Sequence, residues 1–112
     1  MGRIAQLADE IKGENIVVLD MRGVCDFADA FVIVTARSRT QMQAISRNIT
    51  EKLREEGLRP ISGDEPADAR WMLIDYGDVI VHILDAEARA YYDLEALWGD
   101  AAAMPWQQLA EA

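Results

Sequence analysis

Apolar residues in the first part of the chain recur at two different spacings, which predict one helix and two strands. An amphipathic helix is predicted over residues 2–12, because four apolar side chains recur there at helical spacing: Ile4, Leu7, Ala8 and Ile11. Gly13 follows and is predicted to end this helix. Residues 16–19 and 30–35 are compact runs rich in β-branched side chains, which is typical of buried strands. The polar stretch 21–29 is predicted to be the loop between them.

The clearest helix is predicted over residues 38–56. Ser38 is a suitable N-cap, and Gln41 is placed so that its side chain can reach back to the Ser38 N–H group in a capping box. Gly57 follows the helix and can close it in a left-handed conformation. One apolar stripe recurs at spacings of three and four residues along the helix: Met42, Ile45, Ile49 and Leu53.

Two strands joined by a tight turn are predicted in the second half of the chain. Apolar runs at residues 71–75 and 79–84 are separated by only three residues, which is hairpin length, and Gly77 between them is free to adopt positive φ. Before this hairpin, residues 58–61 are predicted to form a short edge strand, because Pro60 would remove a ladder hydrogen bond from a central one.

The order of these elements predicts the fold class. Beyond Asp85 the pattern is helical as far as Trp98, so the order is α-β-β-α-(β)-β-β-α. A helix between two strands implies a right-handed crossover and at least one parallel pair, and the hairpin connections add antiparallel pairs. We predict a single α/β domain with a mixed β-sheet and helices packed on it. The domain is predicted to span residues 1–98, followed by a C-terminal tail over residues 99–112.

Composition and charge narrow the classes of function. The chain of 112 residues is 51% hydrophobic, enough for one domain with its own core, and its apolar runs are too short to cross a membrane. Eleven Lys and Arg against twenty Asp and Glu give a net charge of −9. This charge disfavours direct binding to nucleic acid and favours a basic protein partner. Cys25 is the single cysteine, which excludes an internal disulfide and is compatible with a cytoplasmic protein.

Four segments carry a resemblance to a known family: residues 18–23, 29–35, 69–83 and 89–98. The most specific parts are the stretch from Trp71 to His82 and the sequence Tyr-Tyr-Asp-Leu-Glu at residues 91–95. In this order and spacing the chain resembles the ribosomal silencing factor family, also called the Iojap-like family. Two positions depart from the family pattern: Ala36 replaces the usual Gly of a Thr-Gly-x-Ser motif, and Gln41 stands where a His commonly begins the long helix.

The resemblance implies a function that composition does not show. Members bind the large ribosomal subunit at the ribosomal protein of the L-fourteen family, block joining of the small subunit, and lower translation when nutrients are scarce. The implied fold is an α/β domain similar to nucleotidyltransferases but without their active site. We therefore expect a cytoplasmic translation repressor that is not an enzyme, with no catalytic residue, metal or cofactor.

The residues expected to bind the partner are three aromatic and two acidic side chains: Trp71, Tyr76, Tyr92, Asp75 and Asp78. Aromatic residues dominate binding hot spots, and the two carboxylates could accept hydrogen bonds from Lys or Arg of a basic ribosomal protein. Tyr91 and Tyr92 are adjacent and point about 100° apart on a helix, and the resemblance to the family pattern implies that Tyr92 is the exposed one.

Each of these residues also has a purely structural interpretation. Trp71 could be a core or rim residue, and Tyr76 at the hairpin tip is harder to bury. Asp75 and Asp78 could accept hydrogen bonds from backbone N–H groups of the turn, or form a metal site, for which two carboxylates are weak evidence. His82, the only histidine, is expected to be hydrogen-bonded within the fold rather than to act as a general base.

Two other functions remain as alternatives to a silencing factor. One is a nucleotidyltransferase-like enzyme, which needs clustered carboxylates that hold Mg²⁺. The other is a homodimeric interaction module, and a homodimer could also form when the ribosome is absent. Several arginines make the middle of the chain locally basic, as a solvated helix face or as a marginal contact with ribosomal RNA: Arg37, Arg39, Arg47, Arg54 and Arg59.

Overall fold

The computed structural model describes residues 2–24, 26, 28–63, 71–92 and 102–104. Within these residues the chain forms helices and strands in this order: α1 (Gly2–Glu10), β1 (Glu14–Asp20), β2 (Ala30–Ala36), α2 (Arg39–Glu55), β3 (Ser62–Gly63), β4 (Trp71–Asp75), β5 (Val79–Asp85), α3 (Ala86–Tyr92) and β6 (Ala102–Met104). Among the described helices, none is both long and apolar enough to cross a membrane.

The strands form one mixed sheet in the order β3-β4-β5-β2-β1-β6. The central strands β2 and β5 are parallel, with Ala30 opposite Val79 and Ala36 opposite Asp85. The other neighbouring pairs are antiparallel. The predicted α/β class, the parallel pair across the helical crossover and the two antiparallel connections are therefore confirmed.

Side chains of the central strands alternate between two apolar clusters, one on each face of the sheet. Val32 and Val34 belong to the first cluster, and Phe31 and Ile33 belong to the second. Successive residues of a strand point to opposite faces, so the two clusters lie on opposite sides of the sheet. The first cluster includes the predicted stripe of α2, which is fully buried, together with residues of α1. The second includes Ala88 of α3.

Gln41 at the start of α2 ties this helix to the end of α1. Ser38 caps α2 as predicted, since its hydroxyl accepts a hydrogen bond from the Gln41 N–H group at 3.1 Å. The Gln41 side chain does not close the predicted capping box on Ser38. Its Oε1 accepts from the Arg37 N–H group, and its Nε2 donates to the carbonyl oxygens of Ile11 at 3.1 Å and Lys12 at 2.9 Å. The carbonyl groups just beyond a helix C-terminus have no hydrogen-bond partner within the helix. The Gln41 side-chain amide therefore points toward the end of α1, where it satisfies two of them.

Gly13 is required because neighbouring atoms of α1 and β2 lie too close for a side chain, and not because the backbone is left-handed there. Helix α1 ends at Glu10, two residues earlier than predicted, and Lys12 takes the positive φ of 64°. A Cβ atom on Gly13 would lie 2.7 Å from Cγ1 of Val34 and 3.0 Å from the carbonyl oxygen of Ala8. By contrast, Gly57 has the positive φ of 89° that was predicted for the end of α2.

The edge strands differ from the prediction. Strand β3 is Ser62–Gly63 rather than residues 58–61, because Pro60 has no N–H group to donate and the chain joins β4 only beyond it. The first hydrogen bond from this segment to β4 is donated by the Ile61 N–H group to the Asp75 carbonyl oxygen at 2.7 Å. Strand β6, within the predicted tail, pairs with β1. The boundary between residues 98 and 99 stays a prediction, and Cys25 and residues 93–98 lie outside the described residues.

Candidate docking site

The β4–β5 hairpin carries four of the five predicted partner-binding residues. Its turn is closed by the Tyr76 N–H group, which donates to the Val79 carbonyl oxygen at 2.9 Å. Gly77 adopts the predicted positive φ of 87°. Oδ1 of Asp75 accepts from the Gly77 N–H group at 2.7 Å. Asp75 therefore stabilises the turn, as its structural interpretation proposed, and its other carboxylate oxygen is the one left for a partner.

Trp71 is half-buried against the second cluster and hydrogen-bonded to His82. Its Nε1–H group donates to Nδ1 of His82 at 3.0 Å, with the two ring centroids 5.7 Å apart. Trp71 is opposite Leu84 in the ladder between β4 and β5. The side chain is thus packed in the fold and partly exposed, as the interpretation of a rim residue predicted, and its role in partner binding stays a prediction.

His82 is a neutral, buried member of this cluster. Only 4% of the residue is exposed, and its ring centroid lies 4.7 Å from that of Phe31. Burial lowers the pKa of His82 to about 4. Because Nδ1 accepts from Trp71, the proton of the neutral ring is assigned to Nε2, which is buried and has no hydrogen-bond partner among the described residues. The prediction that His82 is hydrogen-bonded within the fold is confirmed at Nδ1.

Tyr76 lies on the other side of the sheet from Trp71. Its side chain is half-buried against the first cluster and lines a cavity of about 280 Å³ beside Ile4, Leu53 and Leu58. The expectation that the hairpin tip makes Tyr76 hard to bury is wrong, because α1 and the segment after α2 reach as far as the turn. Burial raises the pKa of the phenol, and its hydroxyl has no hydrogen-bond partner within the described part of the chain.

Replacing Tyr76 by phenylalanine is expected to stabilise the free protein by up to about 1 kcal/mol. The change removes a buried hydroxyl that has no partner and leaves the apolar ring in place. Urea unfolding of the two proteins measures the difference. A loss of stability above about 1 kcal/mol would show that the hydroxyl is hydrogen-bonded in solution.

The remaining predicted residues have different surroundings. The Asp78 side chain is exposed, while its backbone carbonyl accepts from the N–H groups of Asp29 at 2.7 Å and Ala30 at 3.1 Å. This anchors the turn to the start of β2. Tyr91 is 83% exposed, so it is not the buried member of the tyrosine pair. The side chain of Tyr92 lies outside what the structure describes, and its role stays a prediction.

The hairpin presents its residues around an edge rather than on one flat face. Alternation along β4 places Trp71, Leu73 and Asp75 on the side of the second cluster, whereas Tyr76 is on the side of the first. Leu73 is 39% exposed and was not singled out from the sequence. Its spacing of two residues from Trp71 is the signal that could have identified it.

The loop that departs from the family pattern is well packed with an alanine. Ala36 is 1% exposed as the last residue of β2, and it does not adopt a positive φ. Next to it, Nη1 of Arg89 donates to the Thr35 hydroxyl at 2.7 Å and to the Asn15 carbonyl. Arg37, one of the five arginines, is exposed and lies 3.4 Å from the Glu14 carboxylate.

These observations define a class of protein: a small α/β domain with a mixed sheet and a hairpin that combines aromatic and acidic side chains. Within the described residues, no three His, Cys, Asp or Glu side chains are grouped so that they could hold a metal ion. A family profile described as "Ribosomal silencing factor during starvation" matches residues 1–112. The chain therefore belongs to the ribosomal silencing factor family, as the sequence resemblance predicted.

Individual relatives agree with this assignment. The ribosomal silencing factor of Bacillus subtilis is 42% identical over 97 residues, which cover 87% of this chain and 82% of the relative. The chloroplastic protein Iojap of Zea mays is 38% identical over 88% of this chain and 42% of its own length. Among solved structures, a Chromobacterium violaceum protein superimposes with a TM-score of 0.80 at 33% identity, covering 87% of this chain and 82% of that one.

Proposed function

We propose that the protein binds the large ribosomal subunit at its L-fourteen family ribosomal protein and thereby blocks joining of the small subunit. The observation that carries the proposal is the family match over residues 1–112. In this mechanism the bound domain represses translation by occupying space that the small subunit needs. The protein acts in the cytoplasm, without catalysis, when nutrients are scarce.

Charge supports a basic protein as the partner. The chain carries a net charge of −9, so its field attracts positively charged surfaces and speeds encounter with them. At the hairpin, Asp75 and Asp78 supply carboxylates next to aromatic side chains. Carboxylates form their strongest hydrogen bonds with Arg and Lys, which fits a cationic surface on the ribosomal protein.

The geometry supports docking around the edge of the β4–β5 hairpin. Trp71 and Leu73 form a partly exposed apolar surface on one side, and the exposed Asp78 lies at the turn. A partner that binds around the edge of the hairpin would contact both sides of the sheet. Tyr76 and Trp71, which lie on opposite sides, would then belong to the same interface. Tyr92, at the end of α3, is proposed to extend the contact, and arginines of α2 are proposed to reach ribosomal RNA at its margin.

Sedimentation of purified ribosomal subunits tests the proposal directly. Large subunits, small subunits and their mixture are run on sucrose gradients with and without the protein. We expect the protein to migrate with the large subunit alone and to reduce the peak of joined ribosomes. A protein that stays at the top of the gradient while subunits join normally would contradict the proposal.

Replacing Asp78 by asparagine is expected to weaken binding to the large subunit by about threefold to fivefold and to reduce its dependence on salt. The change removes one exposed charge at the edge of the interface, where such pairs contribute up to about 1 kcal/mol. Affinity measured at several salt concentrations tests this. Asp9→Asn, an equally conservative change at an exposed position of α1, is the matched control, and equal effects of the two would refute a local role for Asp78.

A further inference from the structure

We propose that His82 is a positioning residue that holds the Trp71 indole in the orientation required for docking, an inference that rests on the proposed function. His82 itself is buried and does not reach the partner. It acts through the hydrogen bond that its Nδ1 accepts from the indole N–H group at 3.0 Å.

The described surroundings of Trp71 are a neighbouring strand, the second cluster and the hydrogen bond to His82. Strand β5 flanks Trp71 on one side, with Leu84 directly opposite. On the other side, β3 pairs only with Asp75 and Ile74, so no described strand covers the backbone at Trp71. The ring is half-buried against the second cluster, and a tryptophan in a half-buried site has several staggered rotamers available. A directional hydrogen bond selects one of them.

His82 is well placed to supply a fixed acceptor. It lies two residues from Leu84 on β5, which makes it the diagonal cross-strand neighbour of Trp71, a distance that aromatic side chains can span. The residue is 4% exposed, and its ring is tilted against that of Phe31 at a centroid distance of 4.7 Å. The acceptor therefore cannot follow the indole if the indole turns, and the bond defines a single ring orientation.

If packing were its only role, the imidazole would destabilise the folded protein relative to an apolar side chain at this position. Its Nε2 is buried without a hydrogen-bond partner among the described residues, and such a group destabilises the folded state. A leucine or phenylalanine would fill the same layer without that penalty. Unfavourable features such as an unpaired buried nitrogen are expected at functional sites. Here the functional requirement is a hydrogen-bond acceptor at Nδ1 for the Trp71 indole.

The hydrogen bond also indicates what the partner offers to Trp71. Because the indole N–H group is already used inside the protein, the partner contacts the ring through its apolar face and edge. A basic ribosomal protein would meet that face with aliphatic side chains or with an Arg or Lys placed over the ring. The partner needs no hydrogen-bond acceptor at this point of the interface.

The test combines nuclear magnetic resonance of the indole N–H group with measurement of subunit binding. The full chain is labelled with ¹⁵N, and the Trp71 signal is distinguished from those of Trp98 and Trp106 by a Trp71→Phe variant. His82→Phe and the smaller His82→Leu both remove the acceptor. His82→Asn retains one, since an asparagine oxygen can occupy the position of Nδ1. Ile80→Val, a mild change in the same buried cluster, controls for general destabilisation.

We expect His82→Phe and His82→Leu to move the Trp71 indole signal upfield and to weaken binding to the large subunit by roughly threefold to tenfold. His82→Asn is expected to restore both properties to within about twofold of the parent, and Ile80→Val to leave both unchanged. The second acceptor-free variant keeps the test valid if one of the two does not fold.

Failure of the inference can be distinguished from failure of the proposed function. If the parent binds and the acceptor-free variants bind equally well despite a shifted indole signal, the positioning role is refuted and the proposed function stands. An indole signal that does not respond to loss of the acceptor also refutes it. If the parent protein does not bind the large subunit at all, the proposed function is refuted, and the positioning role with it.

Discussion

Replacement of Trp71 by alanine is expected to weaken binding to the large ribosomal subunit by about 2–4 kcal/mol, or roughly thirtyfold to a thousandfold. Trp71 is a half-buried aromatic residue on the partly exposed side of the hairpin, next to Leu73. Tryptophan buries a large area with little loss of conformational freedom, and tryptophans at the centres of interfaces are the most frequent hot spots. Affinity is measured with purified large subunits, and the reduction of the joined-ribosome peak is scored in parallel.

The same substitution also removes packing against the second cluster, so stability must be separated from binding. Ile74→Val is the matched control, because Ile74 lies on the same strand but points into the first cluster. That change is expected to cost about 0.5–1.5 kcal/mol of stability without loss of affinity. If Trp71→Ala binds like the parent at a temperature where both are folded, Trp71 is not a docking residue.

Acid is expected to destabilise the protein through His82, by about 3 kcal/mol between pH 6.5 and pH 4. The pKa of His82 in the folded protein is lowered from 6.5 to about 4 by burial. As pH falls through this window, the unfolded chain takes up a proton that the folded protein does not. The unfolded state therefore becomes more favourable, and stability decreases toward low pH. Above about pH 7.5 the histidine is essentially neutral in both states and contributes no pH dependence.

Comparison with His82→Asn isolates this effect from the carboxylates, which titrate in both proteins. The free energy of unfolding is measured by urea denaturation at several pH values. The difference between parent and variant is expected to be constant above about pH 7.5 and to shift steadily in favour of the variant down to pH 4. A difference that does not change with pH would show that His82 is accessible to protons in the folded state.

Most of the secondary structure could be predicted because local chemistry and apolar spacing agree. The stripe on α2, its Ser38 cap and its end at Gly57 all indicate the same helix. The presence of a parallel pair followed from the helix between two strands, but the sequence did not predict that the paired strands are β2 and β5. Strand β6 could not be predicted, since residues 102–104 are alanines and a methionine without a strand pattern. Only their pairing with β1 makes them a strand.

The site was less predictable, because side-chain direction depends on what packs nearby. The positions of Trp71, Asp75 and Asp78 on one hairpin could be predicted from the short turn. The burial of Tyr76 against the first cluster could not, since it depends on how far α1 and the segment after α2 extend. The bond from Trp71 to His82 joins residues eleven apart, which requires the register of β4 with β5. A sequence pattern predicts the strands but does not define that register.

The central pair of strands has a consequence for synthesis of the chain. All seven residues of β2 are buried, and one of its two neighbours in the sheet, β5, begins 49 residues later, as the pairing of Ala30 with Val79 shows. At about 5–20 residues per second, β2 waits roughly 2.5–10 seconds for that partner. During this interval it is paired with β1 alone and presents an apolar edge on which other nascent chains can add strands. The new protein is therefore most prone to aggregation just before the docking hairpin is completed.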